Sequence, residues 1–305
     1  MSSATPNAGA GAGAPSPGTG PGSSTTGGAR PYPTRDELLA TGSRPRRLGP
    51  LFVAEHQLRT MSKFGVTMIA TATGTPLIYL FAFGVGLATL ITGNVGPGGA
   101  NGPVSYIEFV APALLVTAGT LVATEEFTFG ILLGLKWNPV FVGMNAAPIS
   151  GPQIVTGHFL FAAVRMTITV TIYYLVILLF GAMPSPAGVL LIPIGLLAGF
   201  SWTLVAAYAA TIKEDKGQFA VLQRVVILPL TLFSGTVFPL TQLPVYLQPI
   251  GWLSPLWHAS ELGRQVAYGP TEPFWLTLVH LAYLLALAAV GWLLCQRIVK
   301  RRLDK

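Results

Sequence analysis

Glu125 and Glu126 stand side by side in "VATEEFTFG", and Arg165 stands in "FAAVRMTITV", so ionisable groups sit in or beside long apolar runs. A charge at membrane depth is costly and marks a functional or paired position. Glu125 and Glu126 fall just after an apolar run, where they are solvated and open to a partner. Glu108 lies near the other end of that run. Arg165 is expected to snorkel to the interface; pairing with one of the carboxylates is the alternative. The histidines, His56, His158, His258 and His280, have no metal-ligand spacing, so no metal site is expected. Ser201 in "GFSW" lacks the surroundings of a nucleophile elbow, and serines are common in packed membrane helices. No catalytic residue is therefore named. Without a Gly-x-x-x-x-Gly-Lys-Ser/Thr loop, the chain itself holds no nucleotide by that route and needs no cofactor.

The elements that must position these residues follow from composition. Of the 305 residues, 51% are hydrophobic and 10% charged, the range of a polytopic membrane protein. The net charge of +7 does not indicate nucleic acid, because the basic residues flank apolar runs rather than forming a face interleaved with aromatics. One cysteine, Cys295, excludes an internal disulfide scaffold. The start of the chain has neither the charged head nor the apolar core of a signal peptide.

Residues 1–34 are Gly, Ala, Pro, Ser and Thr with almost no large apolar side chain, and are expected to form a disordered tail. Residues 35–64 form a second segment. Within it Leu51, Ala54, Leu58 and Met61 share one helical face, and Glu55 can pair with Arg59. This reads as an amphipathic helix lying along the interface, with the frayed start of the first span as the alternative. Residues 65–305 hold six apolar runs of about 20 residues, enough to cross ~30 Å of hydrocarbon. They lie near 65–91, 106–123, 156–181, 188–212, from 219, and 274–296. Ser150 and Pro152 form a helix-start signal ahead of the third.

Charge orients the spans. Arg30, Arg35, Arg44, Arg46, Arg47, Arg59 and Lys63 precede the first. Lys136, Lys213, Lys216 and Arg224 fall at the next two turns on that side, and Arg297, Lys300, Arg301, Arg302 and Lys305 follow the sixth. The opposite side carries Arg264 alone. Both termini are thus expected in the cytoplasm. The fold class is an all-α polytopic membrane protein.

Two segments break the pattern. After Glu125, a cytoplasmic extension of the second span should end at Asn138-Pro139 and lead to a short transverse helix over about 140–147. "FSGTVFPLTQLPVYLQPIGWLSPLWH", 233–258, has no charged residue but carries prolines at 239, 244, 249 and 255. Proline ends helices, so this greasy segment enters the membrane and breaks. Broken backbone at that depth requires cover by protein or a cavity.

The blocks "TPLIYLFAFGVGL", "SYIEFVAPALLVT", "FSGTVFPLTQLPVYLQPIGWLSPLWHASELGRQVAYG" and "KRRL", in this order, resemble the permease subunits of type-two ABC exporters. The similarity is greatest to nodulation-factor (lipo-oligosaccharide) exporter permeases, with daunorubicin-type drug exporter permeases nearby, and covers about 50–303. It implies a bacterial inner-membrane, multi-pass permease that dimerises with an identical or paralogous permease. Two separate P-loop ATPase subunits, carrying ATP and Mg, would drive it. It implies an N-terminal interfacial helix, a cytoplasmic coupling helix, and broken re-entrant helices between spans five and six. The interfacial residues would be Leu51, Leu58, Arg59 and Met61. Coupling to the ATPase would fall on Glu125, Glu126, Phe141, Met144, Asn145, Ala146, Pro148 and Ile149. An outer gate would be formed by Phe238, Pro239, Leu243, Leu247, Trp252, Leu256 and Trp257; for Tyr246 and the tryptophans a place in the headgroup belt is the alternative. The substrate implied is amphiphilic, a glycolipid or lipo-oligosaccharide or a hydrophobic drug. A polytopic membrane enzyme acting on lipid-linked substrates is the rival reading.

Overall fold

In a bilayer a helix satisfies its own backbone, so the apolar runs dictate helices. The computed structural model describes residues 35–304 apart from 64, 88, 92–101, 103, 148, 184, 215 and 271, and these form helices and no strand. The expected disordered tail, most of the loop after the first span, and Pro148 lie outside the described residues. Thr41–Lys305 forms one compact unit.

The described residues form ten numbered helices, besides a single 3-10 turn at Leu240–Gln242. They are α1 (Arg35–Ser62), α2 (Gly65–Tyr79, widening into π-helical Leu80–Leu87), α3 (Tyr106–Trp137), α4 (Val140–Asn145), α5 (Gly151–Leu179), α6 (Pro186–Thr211), α7 (Gln218–Leu232), α8 (Gln248–Leu253), α9 (Pro255–Tyr268) and α10 (Phe274–Leu303). Four of them, α3, α5, α6 and α10, are long and apolar enough to cross a membrane. The expectation of six is met by four full-length helices. In the first run the described apolar helix is Leu77–Leu87. α7 ends at Leu232. At about 1.5 Å per residue it falls short of a ~30 Å core.

α3 is the central helix: 78% of its most apolar window is buried, against 22% for α10, which turns Trp275, Leu278 and Leu285 outward. Its start is fixed by a capping box, with Ser105 N–H donating to Glu108 Oε2 at 2.8 Å and Glu108 N–H returning to Ser105 Oγ at 3.4 Å. Glu108 is thus spent on the helix terminus. α3 meets α6 at a pair of glycines. A Cβ on Gly119 would strike the Gly195 carbonyl oxygen, so only glycine permits this approach. α5 begins as its sequence requires, with Ser150 N–H donating to Gln153 Oε1 at 2.9 Å and Pro152 in the first turn.

Polar side chains join the outer helices. Thr203 Oγ1 donates to the Ala288 carbonyl at 3.0 Å, tying α6 to α10. Arg302 donates to the carbonyls of Ala210 and Ile212 at 3.0 and 2.8 Å, satisfying the orphan acceptors that end α6. Ser201 is buried and its hydroxyl donates to the Ala198 carbonyl, a structural bond within α6.

Candidate functional site

At the end of the molecule that carries α4, α3 loosens into two π-helical stretches, Glu126–Gly130 and Leu133–Trp137. Such wide turns displace side chains from the regular face and recur at functional sites. Here they turn Glu126 inward. Arg165 of α5 lies opposite, 5% exposed in its side chain, paired with Glu126 through Nη1 and 3.5 Å from Glu125 through Nη2. The expected snorkelling does not occur. The guanidinium reaches a carboxylate on the neighbouring helix, which relieves its burial more fully than a long path to water would. The two glutamates differ: Glu126 is buried and Glu125 is half exposed. His158 joins them, its Nε2 3.1 Å from the Glu126 carbonyl and its Nδ1 3.0 Å from Gln57 Oε1 of α1.

This cluster borders a cavity of about 400 Å³ between α1, α3, α4 and α5, with Phe129, Trp137, Phe141 and Phe161 among its walls. α4 closes one side. Phe141 is buried with its ring over Gly134, where a Cβ would collide with it, and edge-on to His158 at 5.7 Å between centroids. Asn145 Nδ2 donates to the Leu303 carbonyl at 3.3 Å, so α4 is moored to the end of α10. Met144 and Ile149 pack partly buried on the core, and Val142, Gly143, Ala146 and Ala147 stay exposed. Of the residues assigned to coupling, Phe141 and Glu126 therefore face inward, whereas Ala146 faces out, as does its neighbour Ala147.

On α1 the inward face is Val53 and Ala54, while Leu51 is 55% exposed and Leu58 and Met61 half-buried. The face read from spacing is thus rotated, with Val53 rather than Leu51 packed inside. Arg59 is exposed and pairs with Glu55 as its spacing requires.

At the opposite end of the molecule the chain breaks after Phe233, and Gly235 takes φ +67°, a conformation that favours glycine. Six carbonyls in and around the break accept from side chains. Ser254 Oγ donates to Leu230, and Arg264 donates to Gly235 and Thr236 at 2.7 and 3.1 Å. Tyr106 donates to Val237 at 3.1 Å, Gln248 to Leu243 at 3.0 Å, and Tyr283 to Leu253 at 2.8 Å. This accounting lets irregular backbone sit among apolar surroundings. The chain provides the cover itself, from α3, α8, α9 and α10.

The gate residues separate in this fold. Trp252 is 52% exposed, and Phe238, Pro239, Leu243 and Leu247 are half-buried. Leu256 is buried in the core of its own chain and is unavailable to a gate surface. Trp257 packs edge-on to the rings of His258 and His280. Arg264, read from sequence only as the lone basic residue on its side, is the missed residue. Glu261, three residues before it, is its local partner; its backbone partners lie far away in the chain and leave no spacing signal.

The family of ABC-2 type transporters matches residues 53–268. Nodulation protein J of Rhizobium leguminosarum bv. viciae is 27% identical over 228 residues, covering 75% of this chain and 85% of that protein. Nodulation protein J of Rhizobium meliloti (strain 1021) is 25% identical over 241 residues, covering 79% and 88%, and that of Neorhizobium galegae 27% over 230, covering 75% and 84%. The matched region runs from α1 through α9 and takes in the cavity, α4 and the broken segment, and the chain belongs to the ABC-2 type transporter family.

Proposed function

We propose that this membrane transport permease is the membrane subunit of an ATP-driven exporter for an amphiphilic substrate, a glycolipid or lipo-oligosaccharide. The observation that carries the reading is α4. It is a six-residue helix moored to α3, α5 and α10 that leaves a small, uncharged face of Val142, Gly143, Ala146 and Ala147 exposed. A separate P-loop ATPase, two copies per complex and loaded with ATP and Mg, grips that face. Motion of α4 passes through Phe141 to His158 and the Glu126–Arg165 pair, and so to α3 and α5. A second permease, identical or paralogous, completes the path. Six spans place both termini and α4 in the cytoplasm of a bacterial inner membrane. The half-exposed apolar set Phe238, Leu243, Leu247 and Trp252 then lines the outer end. The apolar surfaces and few charges suit a lipid-like cargo better than an ion. ATP binding shifts the pair of permeases between states that bind the cargo differently.

Affinity isolation of the tagged chain from its own cells in mild detergent, with mass spectrometry of proteins and lipids, tests this. A stoichiometric P-loop ATPase and a co-purifying amphiphile are expected. Intact complexes without any ATPase would overturn the exporter and favour a membrane enzyme.

A further inference from the structure

Beside the broken segment, three buried or half-buried groups form a chain of hydrogen bonds that transport does not explain. His258 Nε2 lies 2.9 Å from the Trp252 carbonyl oxygen. His258 Nδ1 lies 2.6 Å from His280 Nδ1, and His280 Nε2 lies 3.1 Å from Glu272 Oε2. The links join α8, α9, α10 and the turn before α10. Both rings are enclosed, His258 7% and His280 0% exposed.

The protons in this chain can be counted. Each of the three links joins two heavy atoms that without hydrogen are acceptors, so each needs one proton. Two neutral imidazoles bring two. The third must be carried by an imidazolium or a protonated Glu272, wherever along the chain it sits. A tetrahedral metal ion does not substitute for it between the rings: with metal–nitrogen bonds of about 2.0 Å it would hold the two ring nitrogens about 3.3 Å apart, and they lie 2.6 Å apart.

We propose that His258, His280 and Glu272 form a proton-binding site that holds one proton beyond those of the neutral imidazoles and, when loaded, ties α10 to the turn before it.

The neighbours place the charge. The Trp252 carbonyl only accepts, so His258 carries hydrogen on Nε2. α9 is not among the helices long and apolar enough to cross a membrane, and burial, followed by the charge of His280, lowers the His258 pKa to about 4, which keeps this ring neutral. His258 Nδ1 then accepts from His280 Nδ1–H. Gln265 Nε2 donates to Glu272 Oε2 at 3.3 Å, and its amide is oriented by Thr277 Oγ1 donating to Oε1 at 2.7 Å. That donor favours the carboxylate, so the extra proton rests on His280 as an imidazolium facing Glu272. The other charged or titratable groups around the cluster are Glu261, Arg264 and Tyr268 on α9 and Tyr283 on α10. Arg264 is committed to Glu261 and the broken backbone. Tyr283 stacks on His258 at 4.1 Å and donates its hydroxyl to the Leu253 carbonyl. Glu272, 24% exposed, is the opening to solution. Loss of the proton leaves His280 Nε2 and Glu272 Oε2 as two acceptors face to face, and the link between α10 and the turn before it opens. That this end is the outer side rests on the topology proposed above; the proton count does not.

Solid-state nitrogen NMR of the full chain, labelled in its four histidines and reconstituted in lipid bilayers, reads this count directly. His56 and His158 are identified by replacing each in turn. At neutral pH one of the two remaining rings is expected neutral with hydrogen on Nε2, and the other doubly protonated. In Glu272→Gln the glutamine amide can donate to a neutral His280, so the link survives without the extra proton. The doubly protonated signal should then vanish. Two neutral rings at neutral pH in the unsubstituted protein would overturn the proposal, as would a doubly protonated signal that persists in Glu272→Gln.

Discussion

The guanidinium of Arg264 lies 3.8 Å above the ring of Phe109, and its Nε donates toward the Phe109 carbonyl at 3.4 Å. The same side chain holds the Gly235 and Thr236 carbonyls and Glu261. One buried cation thus joins the start of the central helix α3, the break after α7, and α9. Its planar fork of donors satisfies acceptors in several directions at once, which a lysine ammonium on a flexible stem does not reproduce.

Replacing Arg264 by Met should therefore cost more than a lost ion pair. It strands two carbonyls and leaves Glu261, 16% exposed, without its partner. A loss of about 3–5 kcal/mol is expected, read as a lowered unfolding midpoint in detergent. Arg264→Lys should recover only part of it. A variant as stable as the parent would remove Arg264 from its role in holding the break.

The Glu126–Arg165 pair should show the asymmetry of buried charges. Glu126→Gln or Arg165→Gln alone leaves one charge enclosed and should cost about 3 kcal/mol or more. The double variant should be more stable than either single one. Glu125→Gln should cost no more than about 1 kcal/mol, since Glu125 is half exposed and 3.5 Å from the guanidinium. A double-mutant cycle on unfolding midpoints measures this. Additive losses at 126 and 165 would show that the pair is not coupled.

Local signals in the sequence carried through to the fold where the interaction is itself local. Ser150 with Pro152 starts α5, Asn138-Pro139 ends α3, and Glu55 meets Arg59 one turn later. Long-range choices were not legible. Arg165 has a stem long enough to snorkel or to pair, and only the π-helical turning of Glu126 toward α5 decides between them. Leu256 and Trp252 are equally apolar in sequence, but the fold buries one and exposes the other. Periodicity on α1 defined a face without saying which part of it would meet α5; the approach of Val53 to Gly157 sets that rotation. The prolines announced a break, while the side chains that make it tolerable come from four other elements.

Glycine substitutions separate packing from backbone entropy. Gly119→Ala places a methyl against the Gly195 carbonyl and should lower stability by about 1–3 kcal/mol, or displace α3 from α6. Gly143→Ala meets nothing within 4 Å and sits in helical α4, so it should be neutral or add a few tenths of a kcal/mol to about 1. Thermal unfolding of the two variants side by side gives the comparison. Equal effects would mean that the α3–α6 contact is not close-packed.

The exposed face of α4 yields the test most specific to transport. Ala146 and Ala147 are exposed and make no side-chain bond that their replacement would break. Asp at both positions should leave the permease folded and inserted, with an unchanged unfolding midpoint. Two added charges on a small apolar docking face would be desolvated against the ATPase, so ATP hydrolysis in the reconstituted complex should no longer respond to the permease and export should fall at least tenfold, equivalent to about 1.4 kcal/mol of lost interface energy. Phe141→Ala should behave in the opposite order. It removes a buried ring that packs against Gly134 and His158, so stability falls by about 3–5 kcal/mol. Measuring stability, hydrolysis and export on both variants separates a docking surface from the packing beneath it. Normal coupling in the Ala146→Asp/Ala147→Asp variant would place the ATPase contact elsewhere on this end of the molecule.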